Sequence, residues 1–277
     1  MMSYLLRISL LSGKIISIGL ILWVASGNAF ASPGSLNAGV SYCNTISDTL
    51  PLTVKDYALT GNVSSGFKPT HSRAWYADVL GLKDVLETLI AKDQSLIENE
   101  ELLRVAATVE NSNSLEVFLA HGADPNATVK SETTPTSPPL LLLAMYCERG
   151  INVLNLLAAG ASVYASDTQG LNAMSVASVG DPLTQPWGFY EEGMILLLAA
   201  GYDPRCPINT HGTMSPLSLA KDDLANYEKQ VSGMTNMNPK TKLYGKKLRE
   251  IVTILQGVEA IQEVRSPGAP RCSDVSK

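Results

Sequence analysis

An all-α fold, built by stacking short helix pairs, is what this sequence predicts, and three observations carry the prediction. Leu and Ala dominate the apolar residues while Phe occurs four times, a choice that suits helices more than sheets. Apolar residues recur at i, i+3 and i+4, as at Val85, Leu86, Leu89 and Ile90, which draws one helical face. Three segments also end alike: FLAHGADPNA at 118–127, LLAAGASVYA at 156–165 and LLLAAGYDPRC at 196–206. One structural unit built several times accounts for such echoes; a nonrepeating helical bundle would have to produce them by chance.

The first stretch stands apart from that unit. Arg7 and Lys14 lie in MMSYLLRISLLSGK, IISIGLILWV is an apolar run, and Ala29-Phe30-Ala31 is a small-x-small site. A positive start, a short apolar core and a peptidase site make a secretory signal, predicted to be cleaved after Ala31. An uncleaved anchor is the alternative, because about 18 apolar residues suffice to span a membrane. Residues 32–70, polar, turn-rich and Cys-bearing, are expected to form an N-terminal capping segment, and residues 258–277 a C-terminal tail. Between them, residues 71–257 hold the stacked units, about five in number with two carrying insertions.

Each unit is defined by the residue that follows its apolar pair. Leu89-Ile90 precedes Asp93, Phe118-Leu119 precedes Gly122, Leu156-Leu157 precedes Gly160, and Leu197-Leu198 precedes Gly201. The spacings along 93, 122, 160 and 201 are 29, 38 and 41 residues, scattered about a helix-pair period near 33. A first stretch with small residues, such as Ala106-Ala107 or Ala173 and Ala177, suits a closely packed short helix. The second stretch carries the amphipathic face, and Gly ends it because Gly takes the left-handed conformation without a Cβ penalty. Asp-Pro then turns the chain into an extended finger. Two insertions disturb the register, SETTPTSPP at 131–139 and GDPLTQPWGFYEE at 180–192. The first is polar and Pro-rich, as an extended finger or mobile loop would be.

This pattern resembles the ankyrin repeat. The family's ending, Leu-Leu-x-x-Gly-Ala-Asp-Pro-Asn, is matched by FLAHGADPNA and LLLAAGYDP. Its opening, Gly-x-Thr-Pro-Leu-His-x-Ala, is approached by Gly212-Thr-Met-Ser-Pro-Leu-Ser-Leu-Ala220 and, more distantly, by Asp167-Thr-Gln-Gly170-Leu-Asn-Ala-Met-Ser-Val-Ala177. Thr-Pro-Leu-His is nowhere intact, and Asp93 replaces the helix-ending Gly. The resemblance implies a solenoid of helix-turn-helix units with extended fingers and capped ends. It also implies a concave surface of finger tips and first-helix faces that holds another protein.

Charge and cysteines narrow the setting. The formal charge is −5, and removal of residues 1–31 takes away Arg7 and Lys14 and no acid, leaving −7. An acidic chain without basic clusters argues against nucleic acid or an anionic membrane as partner, with membrane contact expected only if the signal stays uncleaved. Cys43, Cys147, Cys206 and Cys272 include no Cys-x-x-Cys pair, so they point to two disulfides in an oxidising compartment rather than to zinc. Three connectivities are open; Cys206 with Cys272 and Cys43 with Cys147 is preferred because each pair then staples a tail to the body.

Motifs for catalysis are lacking. His71, His121 and His211 lie in different units without a His-x-x-x-His pair, and His121 is placed where a helix C-terminus favours an imidazolium. No Gly-x-Ser-x-Gly elbow and no phosphate-cradling Gly-rich loop occurs. Glu98, Glu100 and Glu101 open a helix, where acids complement the dipole. No cofactor and no metal are expected. Asp167 and Gln169 belong to one finger and Asn209 and His211 to the next, either as partner contacts or, for Asp167 and Asn209, as turn-stabilising side chains. Trp187, Phe189 and Tyr190 crowd a Pro- and Gly-flanked loop, either as anchors for a partner or as a plug between units. In KTKLYGKKLREIVTILQ, Leu243, Leu248, Ile251 and Ile254 make the apolar face of a basic amphipathic helix. A last helix of the stack is expected there, with a membrane-surface role second.

The expected function is that of an exported, non-catalytic protein-binding module in a bacterial periplasm. The resemblance brings two specific roles: neutralisation of a toxin by occluding its active site, and support of oxidative-stress defence. Envelope scaffolding near the membrane is the alternative, and an enzyme comes third.

Overall fold

The computed structural model describes residues 51–110, 113–130, 137–178, 191–208 and 213–267, together with Cys43 and Cys272. The expected signal at 1–31, most of the 131–139 insertion and the loop bearing Trp187, Phe189 and Tyr190 lie outside the described residues. Eleven α-helices, one 3-10 turn and two isolated β-bridges make up the described regular structure, so the fold is all-α.

Helix α1 spans Leu52–Thr60. Five pairs follow: α2 (Arg73–Val79) with α3 (Lys83–Lys92), α4 (Glu100–Thr108) with α5 (Asn113–Ala120), and α6 (Leu140–Tyr146) with α7 (Gly150–Ala158). Then come α8 (Ala173–Ser178) with α9 (Glu191–Ala199), and α10 (Pro216–Val231) with α11 (Pro239–Arg265). First members of the pairs begin on side-chain caps, except α6, which starts after Pro139 without one. Ser72, Asn172 and Ser215 accept from the amides of Trp75, Ser175 and Ser218 at 3.1, 3.0 and 3.2 Å, satisfying donors that a helix start leaves open. Asn99 does the same for α4.

Second members end on one geometry. Gly122, Gly160 and Gly201 have φ of 96°, 97° and 103°. In each case the residue after Gly donates back five residues, Ala123 to Phe118, Ala161 to Leu156 and Tyr202 to Leu197, at 2.9–3.0 Å. Gly itself donates to the carbonyl three residues earlier. This is the Schellman closure, which needs a left-handed residue. Helix α3 departs from it because Asp93 is extended at φ −144°, a backbone open to any residue. Its carboxylate caps the 3-10 turn Gln94–Glu98 through the Ser95 amide.

Packing follows two rows. The first members contact one another in sequence, α2 with α4, α4 with α6, α6 with α8 and α8 with α10, while the second members do so from α3 through α5 and α7 to α9. Ala77, Ala106, Ala144, Ala177 and Ala220 are at most 1% exposed, one in each first-row helix. A methyl side chain there lets neighbouring helices approach closely. The apolar pairs of the second row supply Ile90, Phe118, Leu156 and Leu197, each buried to within 1%.

Polar side chains also join one pair to the next. Ser114 at the start of α5 donates to the Asp78 carbonyl at 2.8 Å. Asn152, 38 residues later and at the matching place in α7, donates from Nδ2 toward the carbonyls of Ala106, Ala107 and Val109, each at 3.1 Å. Arg149 Nε donates to the Thr108 carbonyl at 2.8 Å. Carbonyls orphaned at the end of α4 are thus satisfied by the following pair.

Two disulfides, Cys43–Cys147 and Cys206–Cys272, join the chain ends to its middle. The final helix runs through Gly257 to Arg265, because nothing from Val258 onward breaks it until Ser266 and Pro267. Its buried face is Leu248, Ile251, Val252 and Leu255, whereas Leu243 is 49% exposed and Ile254 half-buried. The apolar face expected from the sequence is therefore rotated toward α10. Tyr227 of α10 lies flush on Gly245, where any Cβ would collide with the ring, and donates to the Thr241 carbonyl at 2.9 Å.

Candidate partner-binding surface

Of the four connections that lead back from second-row to first-row helices, the last three are each closed at the base by one backbone hydrogen bond. Val129 donates to the Pro138 carbonyl at 3.1 Å, Asp167 to Leu171 at 2.9 Å, and Ile208 to Met214 at 3.0 Å. Antiparallel bridges Thr128–Pro139 and Ser166–Asn172 reinforce the first two.

The fourth residue after each helix-ending Gly reaches out of its own loop. Asn126 Oδ1 accepts from the Ser162 amide at 2.7 Å, and Tyr164 Oη accepts from the Asp203 amide at 2.9 Å. Arg205, in the same slot, donates to the Asp203 carboxylate, to Glu263 and to the Ser266 carbonyl at the end of α11. Sequence reasoning missed this relay, because Asn, Tyr and Arg share no chemistry. The signal available was positional, at four residues past Gly in the three aligned endings.

Electrostatics concentrate at the last joint. Burial pushes the Asp203 carboxyl up, but hydrogen bonds from the Arg205 side chain and amide, with its charge, outweigh this and hold the group below the usual carboxylate range. Hydrogen bonding to Asp203 raises the Arg205 guanidinium further above its already high range. Beside them, burial raises the Tyr202 phenol, which donates to the Pro207 carbonyl at 3.1 Å.

Of the finger residues expected to contact a partner, Asp167 and Gln169 are described. Asp167 is 9% exposed, and its Oδ1 accepts from the amides of Gln169 and Leu171 at 2.9 and 3.0 Å. Its carboxylate is therefore engaged by its own turn, while the Gln169 side chain stands exposed at the loop tip. Trp187, Phe189, Tyr190, Asn209 and His211 lie outside the described residues.

Other titratable groups are dispersed. His71 stacks on Trp75 with ring centroids 4.0 Å apart and approaches Glu101 at 3.9 Å, and His121 is exposed beyond α5. Glu100 and Glu101 occupy the first turn of α4, as dipole matching requires, and Glu98 closes the 3-10 turn before it. Among the described residues no three His, Cys, Asp or Glu side chains stand close enough together to hold a metal ion.

No family model matches the chain, and no curated protein matches it. The surface must therefore be read from its own geometry. Hydrogen bonds to Asn126 and Tyr164 tie neighbouring loops together. From residue 93 to residue 204 the sequence carries fourteen acids and three bases.

Proposed function

We propose that the chain is an exported, non-catalytic protein-binding module of ankyrin-repeat type, acting in a bacterial periplasm to neutralise a toxin by covering its active site. The observation that supports the reading is one helix ending used three times, a left-handed Gly with a Schellman closure, followed four places later by a residue that reaches the next loop at Asn126 and Tyr164 and the last helix at Arg205. A chain that spends its sequence on such joints leaves the loop tips free to vary, which is the property a binding scaffold needs. Two disulfides support an oxidising compartment. Among the described residues no helix is long and apolar enough to cross a membrane.

Pull-down from a periplasmic extract with mass spectrometry tests the reading. One stoichiometric toxin-like partner is expected. Recovery of cell-wall or membrane proteins only after detergent extraction would favour envelope scaffolding or stress support instead. N-terminal sequencing should begin at Ser32, and a start at Met1 would overturn cleavage. Substituting Trp187 and Tyr190 by Ala is expected to weaken capture at least tenfold, as loss of aromatic anchors does, with the melting temperature nearly unchanged. A large loss of stability would make that loop part of the core.

A further inference from the structure

One groove on this surface carries chemistry of its own. It lies between the 3-10 turn with the start of α4 on one side and the loop after α5 on the other, and encloses about 330 Å³. Its floor is apolar: Leu103 and Ala123 are 3% and 6% exposed, with half-buried Ile97 and Ala127 beside them. Its rim is acidic, formed by the exposed Glu98 and Glu100 and by Asp124, whose Oδ1 accepts from the Asn126 amide at 2.8 Å and whose other oxygen has no partner among the described residues. The groove also receives the C-terminal end of α5, where the helix dipole favours a cation.

One cation of the chain already visits that rim. Lys130 Nζ stands 3.9 Å from Glu100 Oε1, and the Lys130 amide donates to Glu100 Oε2 at 3.2 Å. The Lys130 side chain remains 84% exposed, so its charge meets the carboxylate while its stem stays off the floor. An exposed pair of this kind contributes little and is readily displaced.

We propose that the groove receives an arginine or lysine side chain of the partner protein, displacing the Lys130 ammonium. The incoming alkyl stem covers Leu103 and Ala123, and the charged head lies among Glu98, Glu100 and Asp124. This rests on the reading of the chain as a protein-binding module and narrows the partner to one that presents a basic side chain on a projecting segment. The excess of acids from residue 93 to residue 204 steers the same class of partner.

The test is a titration of the isotopically labelled mature chain, followed by amide NMR, with the blocked tripeptide Gly-Arg-Gly as probe. The matching peptide with neutral citrulline replaces it as control. Saturating shifts confined to residues 97–103 and 122–128 are expected with arginine and not with citrulline. Glu98→Gln with Glu100→Gln should weaken the arginine titration about fivefold, the worth of an exposed ion pair. Lys130→Ala should strengthen it, whereas Glu192→Gln on α9 should leave it unchanged. Shifts spread over every exposed acid, or equal responses to arginine and citrulline, would overturn the groove. If the periplasmic partner still binds the Glu98/Glu100 variant at full strength, the groove fails and the protein-binding reading stands. If no partner is captured but the tripeptide titrates as described, the reverse holds.

Discussion

Single residues in this chain show their role most clearly where they break a local rule. Asp78 lies in α2 with 0% exposure, and neither carboxyl oxygen has a hydrogen-bond partner among the described residues. Burial pushes its carboxyl well above the usual range and the charge of Arg104 offsets this only in part, while the Ser114 hydroxyl is spent on the Asp78 backbone carbonyl. A carboxyl with a raised folded pKa contributes full stability below its unfolded value, near 3.9, and loses it as pH rises toward the folded value. Asp78→Ala is therefore expected to stabilise the fold at pH 7 by about 1–3 kcal/mol, the cost of an unsatisfied buried group. Ala107 stands 29 residues later at the matching place in α4. Urea denaturation at pH 7 and pH 4 checks this, because the gain should shrink toward the acid end. Gly160 tests the opposite kind of rule. An added Cβ would meet nothing within 4 Å, yet φ is 97°. Gly160→Ala should cost about 1 kcal/mol by conformation alone, read as a lower urea midpoint with an unchanged m-value. An unaltered midpoint would show that the loop relaxes without the left-handed turn.

At the scale of elements, stability rests on how one helix pair completes the next. Asn152 supplies donors for three carbonyls at the end of α4. Asn152→Ala should destabilise by about 1–3 kcal/mol, and amide exchange should quicken first in α4 and α7. The salt-linked joint behaves differently with pH. Because Arg205 holds the Asp203 carboxyl low, its contribution is present above the unfolded carboxylate pKa and is lost as pH falls through the lower folded value. Arg205→Gln should therefore lower the melting temperature at pH 7 and matter less in acid. The helix ends were legible in the sequence because Gly122, Gly160 and Gly201 impose a backbone that few residues adopt. Asp93 was legible only as a departure, since an extended backbone leaves no compositional mark. Asp167 remained ambiguous because a turn carboxylate and a contact carboxylate look alike until its amide partners are seen. The relay at Asn126, Tyr164 and Arg205 was invisible, because the first two accept from backbone amides while the third donates to carboxylates and a carbonyl, which leaves no common residue type.

For the whole molecule, the disulfides set how much of the chain must unfold together. Cys43–Cys147 spans 104 residues and Cys206–Cys272 spans 66. Loop-closure entropy gives each about 4–5 kcal/mol of stabilisation. Paired Cys→Ser replacement should show a slightly larger loss for the first than for the second, measured by chemical denaturation of the mature chain. Labelling of thiols without reduction should find none in the exported protein.

The relay has one more consequence. Asn126, Tyr164 and Arg205 occupy equivalent slots but each reaches a different neighbour, so the units have become specific to their positions in the series. Removing the block from Gly122 to Ala159 would keep every helix end in register and bring Tyr164 where Asn126 had stood. Tyr164 would keep its own partner, the Asp203 amide, so the joint ahead of the cut survives the deletion. Exchanging the Asn126 and Tyr164 units, by contrast, would set each side chain before the other's neighbour, so the order of the chain is written into its joints as well as its backbone.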